Sequence, residues 1–281
     1  MACYLVFGDL HGRILPAFRL AAAYAREHNL KLDGLLQVGD LGYFPDAGRL
    51  DRATQRHATH DPLELGAALI ASPSDEADRL FATCGVPLPD LWFTAGNHED
   101  FEELAAMESL ADPSAPAFPV DAYTRVQCIR DGEVAELPGG LRVGAVWGID
   151  DEAPGARRSA VGRAVLLRRS VTRLSGQRFD VLLSHDGPLD SIVPRSGSQA
   201  LRGLLQEARP AFAFFGHYGQ KGSARPWAGP TRLYHLGGLL LRQHAEPGAV
   251  GLLRWQRGAG DFRYLDPAWL RTFARHSWEH R

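Results

Sequence analysis

Five short, largely apolar runs in this chain each stop at a small residue followed by a polar cluster. That recurrence constrains the fold more than any other feature. Residues 4–7 run into Gly8-Asp9-Leu10-His11-Gly12, and 34–38 into Gly39-Asp40-Leu41-Gly42. Residues 91–95 run into Gly96-Asn97-His98-Glu99-Asp100, 179–183 into Ser184-His185-Asp186-Gly187-Pro188, and 211–215 into Gly216-His217-Tyr218-Gly219-Gln220. Apolar runs this short, bounded by turn residues, read as strands buried on both faces. Between the first two, residues 16–29 carry apolar positions at helical spacing (Leu15, Phe18, Ala22, Ala25), with Pro16 suited to a first turn. Strand, helix and strand within about forty residues form a βαβ unit, hence a parallel pair. Parallel strands finish at one edge. Asp9, His11 and Asp40 should therefore meet at the carboxyl edge, where open α/β sheets place their sites.

The rest of the chain is expected to build a second sheet. Residues 43–90 form a long helical excursion, with Asp61-Pro62 and Ser72-Pro73-Ser74 as helix entries and a helix over 75–84 ended by Gly85. A helix over 101–110 follows the third polar cluster. Arg130-Asp131-Gly132-Glu133 between apolar runs at 124–129 and 134–137 signals a hairpin. Residues 141–147 form the next strand, 198–208 a helix, and 233–241 and 250–255 the closing strands of the second sheet. Residues 267–278 read as an amphipathic C-terminal helix with Trp269, Leu270 and Phe273 inward. No repeat or linker divides the chain, so residues 1–281 are expected to be a single domain.

Of the 281 residues, 45% are hydrophobic and 23% charged, with 31 basic against 33 acidic side chains. This is ordinary globular composition, with no net pull toward nucleic acid or an anionic membrane. Cys3, Cys84 and Cys128 are too few and too scattered for a disulfide framework, and read as reduced thiols. The first apolar stretch breaks at Asp9 and no apolar run reaches about 18 residues, so neither a signal peptide nor a membrane span is expected. That points to a cytoplasmic protein. Residues 157–178 hold seven arginines and no acid. A solvated helix face is the plain reading; a docking surface for a nucleic-acid backbone is the sharper one. His57 and His60, within the excursion, read as exposed loop residues.

Asp9 and His11, Asp40, Asn97 and His98, His185, and His217 together offer carboxylate, amide and imidazole donors, a set suited to hard or borderline divalent ions. They lie too far apart in sequence for a local zinc motif, so the fold must assemble them. The series Asp-x-His, Gly-Asp, Gly-Asn-His-Glu, a later His and a final Gly-His resembles the calcineurin-like metallophosphoesterase superfamily. The resemblance runs from Gly8 to Gly219. It is not to the Ser/Thr protein phosphatase branch, because Gly39-Asp40-Leu41-Gly42-Tyr43 lacks that branch's longer second motif. Residues 184–188 are similar to the corresponding segment of the lariat-debranching branch.

The resemblance implies a four-layer α/β/β/α sandwich of two mixed sheets and a site for two divalent cations, manganese first among manganese, iron, zinc, nickel and magnesium. Asp40 would bridge the ions. Asp9 and His11 would complete the first site; Asn97, His185 and His217 would hold the second. The implied reaction is hydrolysis of a phosphate ester by metal-bound hydroxide. His98 would protonate the leaving oxygen, held by a carboxylate such as Asp9. A diester is favoured over a monoester because no arginine-rich motif marks a dianion clamp, and a nucleotide or nucleic acid is the expected substrate class. One departure stands out. The family's second histidine in the last motif, a ligand of the first metal, is replaced by Gly219. The first site then keeps three protein ligands, Asp9, His11 and Asp40. The Gln220 amide is a poor substitute, His235 on the next strand could reach back, water is the plainest replacement, and a weak first site is expected. A degenerate member that binds a phosphorylated ligand without turnover is the alternative.

Overall fold

The computed structural model describes residues 1–151, 162–220, 224, 225, 227 and 229–281. The strands are β1 (Ala2–Phe7), β2 (Gly34–Gln37), β3 (Leu91–Phe93), β4 (Ala117–Pro119), β5 (Val126–Ile129), β6 (Val134–Leu137), β7 (Leu141–Val146), β8 (Val181–Ser184), β9 (Phe212–Phe215), β10 (Arg232–His235), β11 (Val250–Gln256) and β12 (Ala259–Tyr264). The helices are α1 (Ile14–Glu27), α2 (Arg52–Ala58), α3 (Ala68–Ala71), α4 (Asp75–Thr83), α5 (Phe101–Leu110), α6 (Arg168–Ser175), α7 (Gln199–Ala208) and α8 (Pro267–Thr272). One sheet has the order β12-β11-β1-β2-β3-β5-β4, the other β10-β9-β8-β7-β6. Both are mixed. β1, β2, β3 and β5 run parallel, as do β7 to β10, with antiparallel strands at the margins.

Period-two alternation explains the layering. Leu5, Phe7 and Leu35 point into a core shared with α1, α4 and the C-terminal segment. Tyr4, Val6 and Leu36 point the other way, against Val181, Leu183, Phe212 and Phe214 of the second sheet. The intervening Leu182 and Ala213 face α6 and α7. Each central strand is buried on both faces, which is why it reads as an unbroken apolar run. The result is the expected four-layer α/β/β/α sandwich, with the polar clusters gathered beyond the carboxyl ends of the parallel strands.

Four expectations change. First, β5 and β6 are not a hairpin: β5 belongs to the first sheet and β6 to the second. The turn at 130–133 crosses between sheets, held by Gly132 N–H donating to the Ala145 carbonyl (2.9 Å) and Trp147 N–H donating to Asp131 Oδ1 (3.0 Å). The hairpin is β6–β7, turning through Gly139 and Gly140, both at positive φ. Second, β11 joins the first sheet antiparallel to β1, paired from Ala2↔Trp255 to Phe7↔Val250. Only β10 closes the second sheet, and it stops at His235. Third, the C-terminal helix ends at Thr272, because the chain returns at Ala274 to bridge His244. Fourth, among the described residues the arginine-rich stretch holds the short α6 and a 3-10 turn (Gly162–Ala164); Arg157 and Arg158 lie outside the described residues. The three cysteines are free and buried, and His57 and His60 are exposed, as expected, although His57 lies in α2 rather than in a loop.

Candidate metal centre

The turn after β1 delivers Asp9 and His11, and the turn after β2 delivers Asp40. Donor atoms of these three side chains lie within 4.8 Å of one another. The turn after β3 lies against Asp40: backbone N–H groups of Asn97 and His98 donate to Asp40 Oδ1 at 2.7 and 2.8 Å. The other oxygen, Oδ2, stands 3.9 Å from His11 Nε2 and 3.1 Å from His185 Nε2. One carboxylate oxygen thus sits between residues of both expected half-sites. His185 Nδ1 is 3.9 Å from Asp9 Oδ1, and the His185 and His217 ring centroids are 5.1 Å apart. His217 N–H donates to Asp9 Oδ1 at 3.3 Å. The seven sequence-predicted site residues therefore gather beyond the carboxyl ends of strands from both sheets, five after β1 to β3 of the first and two after β8 and β9 of the second.

The backbone is forced into this arrangement. His11, Asp40 and His217 have φ of 42°, 53° and 70°, the left-handed region that side chains ordinarily avoid. The flanking glycines make room. A Cβ on Gly96 would meet Asp40 Oδ1 at 2.1 Å, and one on Gly216 would meet Asp9 Oδ1 at 2.1 Å. Glu99 ties two turns together, accepting from Leu41 N–H (2.8 Å), Tyr43 N–H (2.7 Å) and Gly96 N–H (3.3 Å).

Burial sets the electrostatics. It raises the Asp9 carboxyl to about 6 against the pull of His185, and lowers His11 and His217 to about 4, leaving both imidazoles neutral as lone-pair donors. At Asp40 burial would raise the carboxyl, but His185, His98 and His11 outweigh it and hold it well below the usual range. Burial would also lower His98 and His185. The Asp40 charge, joined by Asp51 for His98 and Asp9 for His185, instead lifts both to about 9. The partner of His98 is not the expected Asp9 but Asp51, whose Oδ2 lies 2.6 Å from His98 Nδ1. Asp51 caps α2 inside the excursion, with Oδ1 accepting from Thr54 N–H at 2.7 Å. Nearby, Arg49 grips Asp100 with Nε and Nη2 at 2.5 and 2.8 Å. The excursion so holds the His98 turn from two sides.

The donor set fits divalent cations. Buried Asn97 Oδ1 has no hydrogen-bond partner among the described residues, and His185 Nε2 has none beyond its approach to Asp40 Oδ2.

Residues 4–220 match the family described as calcineurin-like phosphoesterase. The chain belongs to that family. One solved structure, 14% identical, superimposes with a TM-score of 0.55 over 94% of this chain and 99% of its own; at that identity the likeness speaks for the fold alone. No curated protein matches the chain.

Within the calcineurin-like phosphoesterase pattern, the position occupied by Gly219 is open. Its φ is 61°, and among the described residues nothing lies within 4 Å of where a Cβ would stand. Gln220 does not turn to the site: its Nε2 donates to the Gly238 carbonyl at 2.7 Å. His235 is buried at the end of β10 with its ring 6.0 Å from that of Tyr218, and it is not in the close donor group with Asp9, His11 and Asp40. Two functional neighbours escaped sequence reasoning. Asp51 carries only the signal of an ordinary N-cap. Arg13 follows the first motif directly and is 2% exposed; its Nη1 donates to the His11 carbonyl (2.5 Å) and Glu64 Oε1 (2.8 Å), its Nη2 to Asp61 Oδ2 (2.5 Å). Arg275 reaches Asp61 with both terminal nitrogens, at 2.9 and 2.6 Å.

Proposed function

We propose that this member of the family is a metal-dependent phosphodiesterase acting on a nucleotide or nucleic-acid ester. The observation that carries the reading is Asp40 Oδ2 standing between His11 and His185, with His98 on the adjoining turn. Asp9, His11 and Asp40 would hold one divalent cation, with manganese the first choice; Asp40, Asn97, His185 and His217 would hold a second. When bound, such cations neutralise phosphoryl oxygens and provide a nucleophile at neutral pH.

The chain's own residues do the rest. The left-handed turns at His11, Asp40 and His217 fix the ligands before any cation arrives, so little reorganisation accompanies binding. His98, with Nδ1 engaged by Asp51, keeps Nε2 for the leaving oxygen, and its raised pKa supplies the proton at neutral pH. The arginines flanking the turns are already engaged, Arg13 with Asp61 and Glu64 and Arg49 with Asp100. A dianionic monoester would need such a cation free; a monoanionic diester would not. Gly219 favours a second reading, a binder of phosphorylated ligands without turnover. Hydrolysis of bis-p-nitrophenyl phosphate and p-nitrophenyl phosphate with added manganese separates the two. Turnover of the diester above the monoester, cut strongly by His98→Ala, supports the proposal. Turnover of neither ester moves the assignment to the binder.

A further inference from the structure

A cavity of about 400 Å³ is walled by arginines from separate elements. It is fastened to the His98 turn in two ways. Gly148 N–H, next to the wall residue Trp147, donates to the Ala95 carbonyl at 3.0 Å. Phe101, the first residue of α5, packs its ring 6.3 Å from that of Trp147. Another wall residue, Glu108, is on the same helix seven residues further on, roughly 10 Å along the axis at 1.5 Å per residue.

The wall's charges sort into two groups. All three carboxylates are engaged internally. Glu108 accepts from Arg130 and Arg163 at 2.9 and 2.7 Å, Glu133 accepts from Arg173, and Asp131 accepts from Trp147 N–H and, at 2.6 Å, from the Ser170 hydroxyl. Arg130 is likewise used up: its Nε donates to the Ala115 carbonyl and its Nη2 to the carbonyls of Glu108 and Asp112. Arg163, Arg169 and Arg173 differ. Arg163 and Arg173 each commit one terminal nitrogen to a carboxylate, and Arg169 makes no side-chain hydrogen bond among the described residues. All three are solvent-accessible, and Arg163 also lies over the Trp147 ring at 5.6 Å. Guanidinium groups with spare N–H donors around a cavity of this size suit a phosphate diester.

We propose that this cavity seats a backbone phosphate of a single-stranded polynucleotide substrate, with Arg163, Arg169 and Arg173 as its donors. The assignment rests on the phosphodiester reading above but is measured without it. A fluorescein-labelled thymidine decamer is titrated with the full-length protein in EDTA, and anisotropy is followed against potassium chloride.

Binding should weaken with salt with a log–log slope of about −0.7, the value for one neutralised phosphate on a single strand. Arg169→Ala and Arg173→Ala should each weaken binding several-fold and make the slope shallower, with Arg169→Lys in between. Arg178→Ala, exposed on the same stretch but outside the cavity, should change neither. Manganese-dependent hydrolysis of bis-p-nitrophenyl phosphate, too short to reach the cavity, should be unaffected in all four variants. The proposal is overturned if the decamer does not bind, if Arg169→Ala behaves like Arg178→Ala, or if thymidine monophosphate competes as well as the decamer. Decamer binding by a protein that hydrolyses neither nitrophenyl ester would defeat the catalytic reading while leaving this site standing.

Discussion

Replacing Asp51 by Asn tests the role of the excursion at the metal centre. Asp51 makes two contacts with two different oxygens, one to the α2 backbone and one to His98. Asn caps a helix as well as Asp does, so α2 survives. The amide has only one oxygen, however, and no charge, so the His98 contact falls from a charge-assisted bond to a neutral one or is lost. Charge-assisted bonds contribute about 1.5–3 kcal/mol and neutral ones about 1. The Asp51 side chain is 33% exposed, which puts the loss toward the low end, about 1–2 kcal/mol. If that contact holds His98 for proton donation, kcat should fall roughly 5- to 30-fold. The fall should be steeper for phenyl than for p-nitrophenyl diesters, since the poorer leaving group needs the proton more. Asp51→Ala also loses the cap, about 1 kcal/mol. For 281 residues the unfolding entropy is about 0.6 kcal/mol/K, so the melting temperature should drop by about 2 °C. Paired manganese-dependent kinetics and calorimetry on both variants read the two effects apart. Equal kcat in wild type and Asp51→Asn with both leaving groups would refute the reasoning, because His98 would then be held by something else.

Three further outcomes follow from the same geometry. Arg13→Gln leaves Asp61 and Glu64 short of a buried guanidinium and frees the His11 carbonyl. It should cost about 3–5 kcal/mol in urea unfolding and weaken manganese binding by calorimetry; a change under 1 kcal/mol would contradict the network described. Gly219→His restores the family pattern in open space at an expense of about 1 kcal/mol for its left-handed φ. Calorimetric titration should show a tighter weak site, and an unchanged isotherm would mean position 219 does not face the ion. The third concerns pH. Burial would raise Asp61, but Arg275 and Arg13 pull it down to about 2, below its unfolded value near 3.9. Its contribution, about 2 kcal/mol, is therefore complete above pH 5 and lost as pH falls through about 2. The stability gap between wild type and Asp61→Asn should shrink by roughly 1 kcal/mol between pH 5 and pH 3 in urea titrations. A gap flat across that range would deny Asp61 its charged partners.

Much of the fold can be read from the sequence because parallel strands buried on both faces leave an unmistakable record. β1, β3 and β9 are apolar throughout and β2 and β8 carry a polar residue only at their last position, and the turns at Gly96 and Gly216 pass close to the carboxylates of Asp40 and Asp9. Which strands pair is less local. Asp131-Gly132 has the same appearance whether it closes a hairpin or crosses between sheets. The choice is made by contacts distant in sequence, such as Tyr4, whose hydroxyl donates to the Pro138 carbonyl between β6 and β7. The sheet that β11 joins is likewise decided far away in sequence, by its antiparallel register with β1. At the site, the ligand-type residues were legible because each follows its own strand. Asp51 and Arg13 were not. Asp51 reaches His98 across 47 positions from a helix cap, and Arg13 looks like any arginine opening a surface helix until Asp61 and Arg275 are seen around it.

The central claim is that Asp40 holds the two halves of a working metal site together. Manganese-dependent hydrolysis of bis-p-nitrophenyl phosphate by wild type and Asp40→Ala, with folding of both checked by circular dichroism, tests it most directly. Saturable turnover in wild type and its abolition at every manganese concentration in the folded variant is the predicted result. Turnover that survives Asp40→Ala would contradict the site itself.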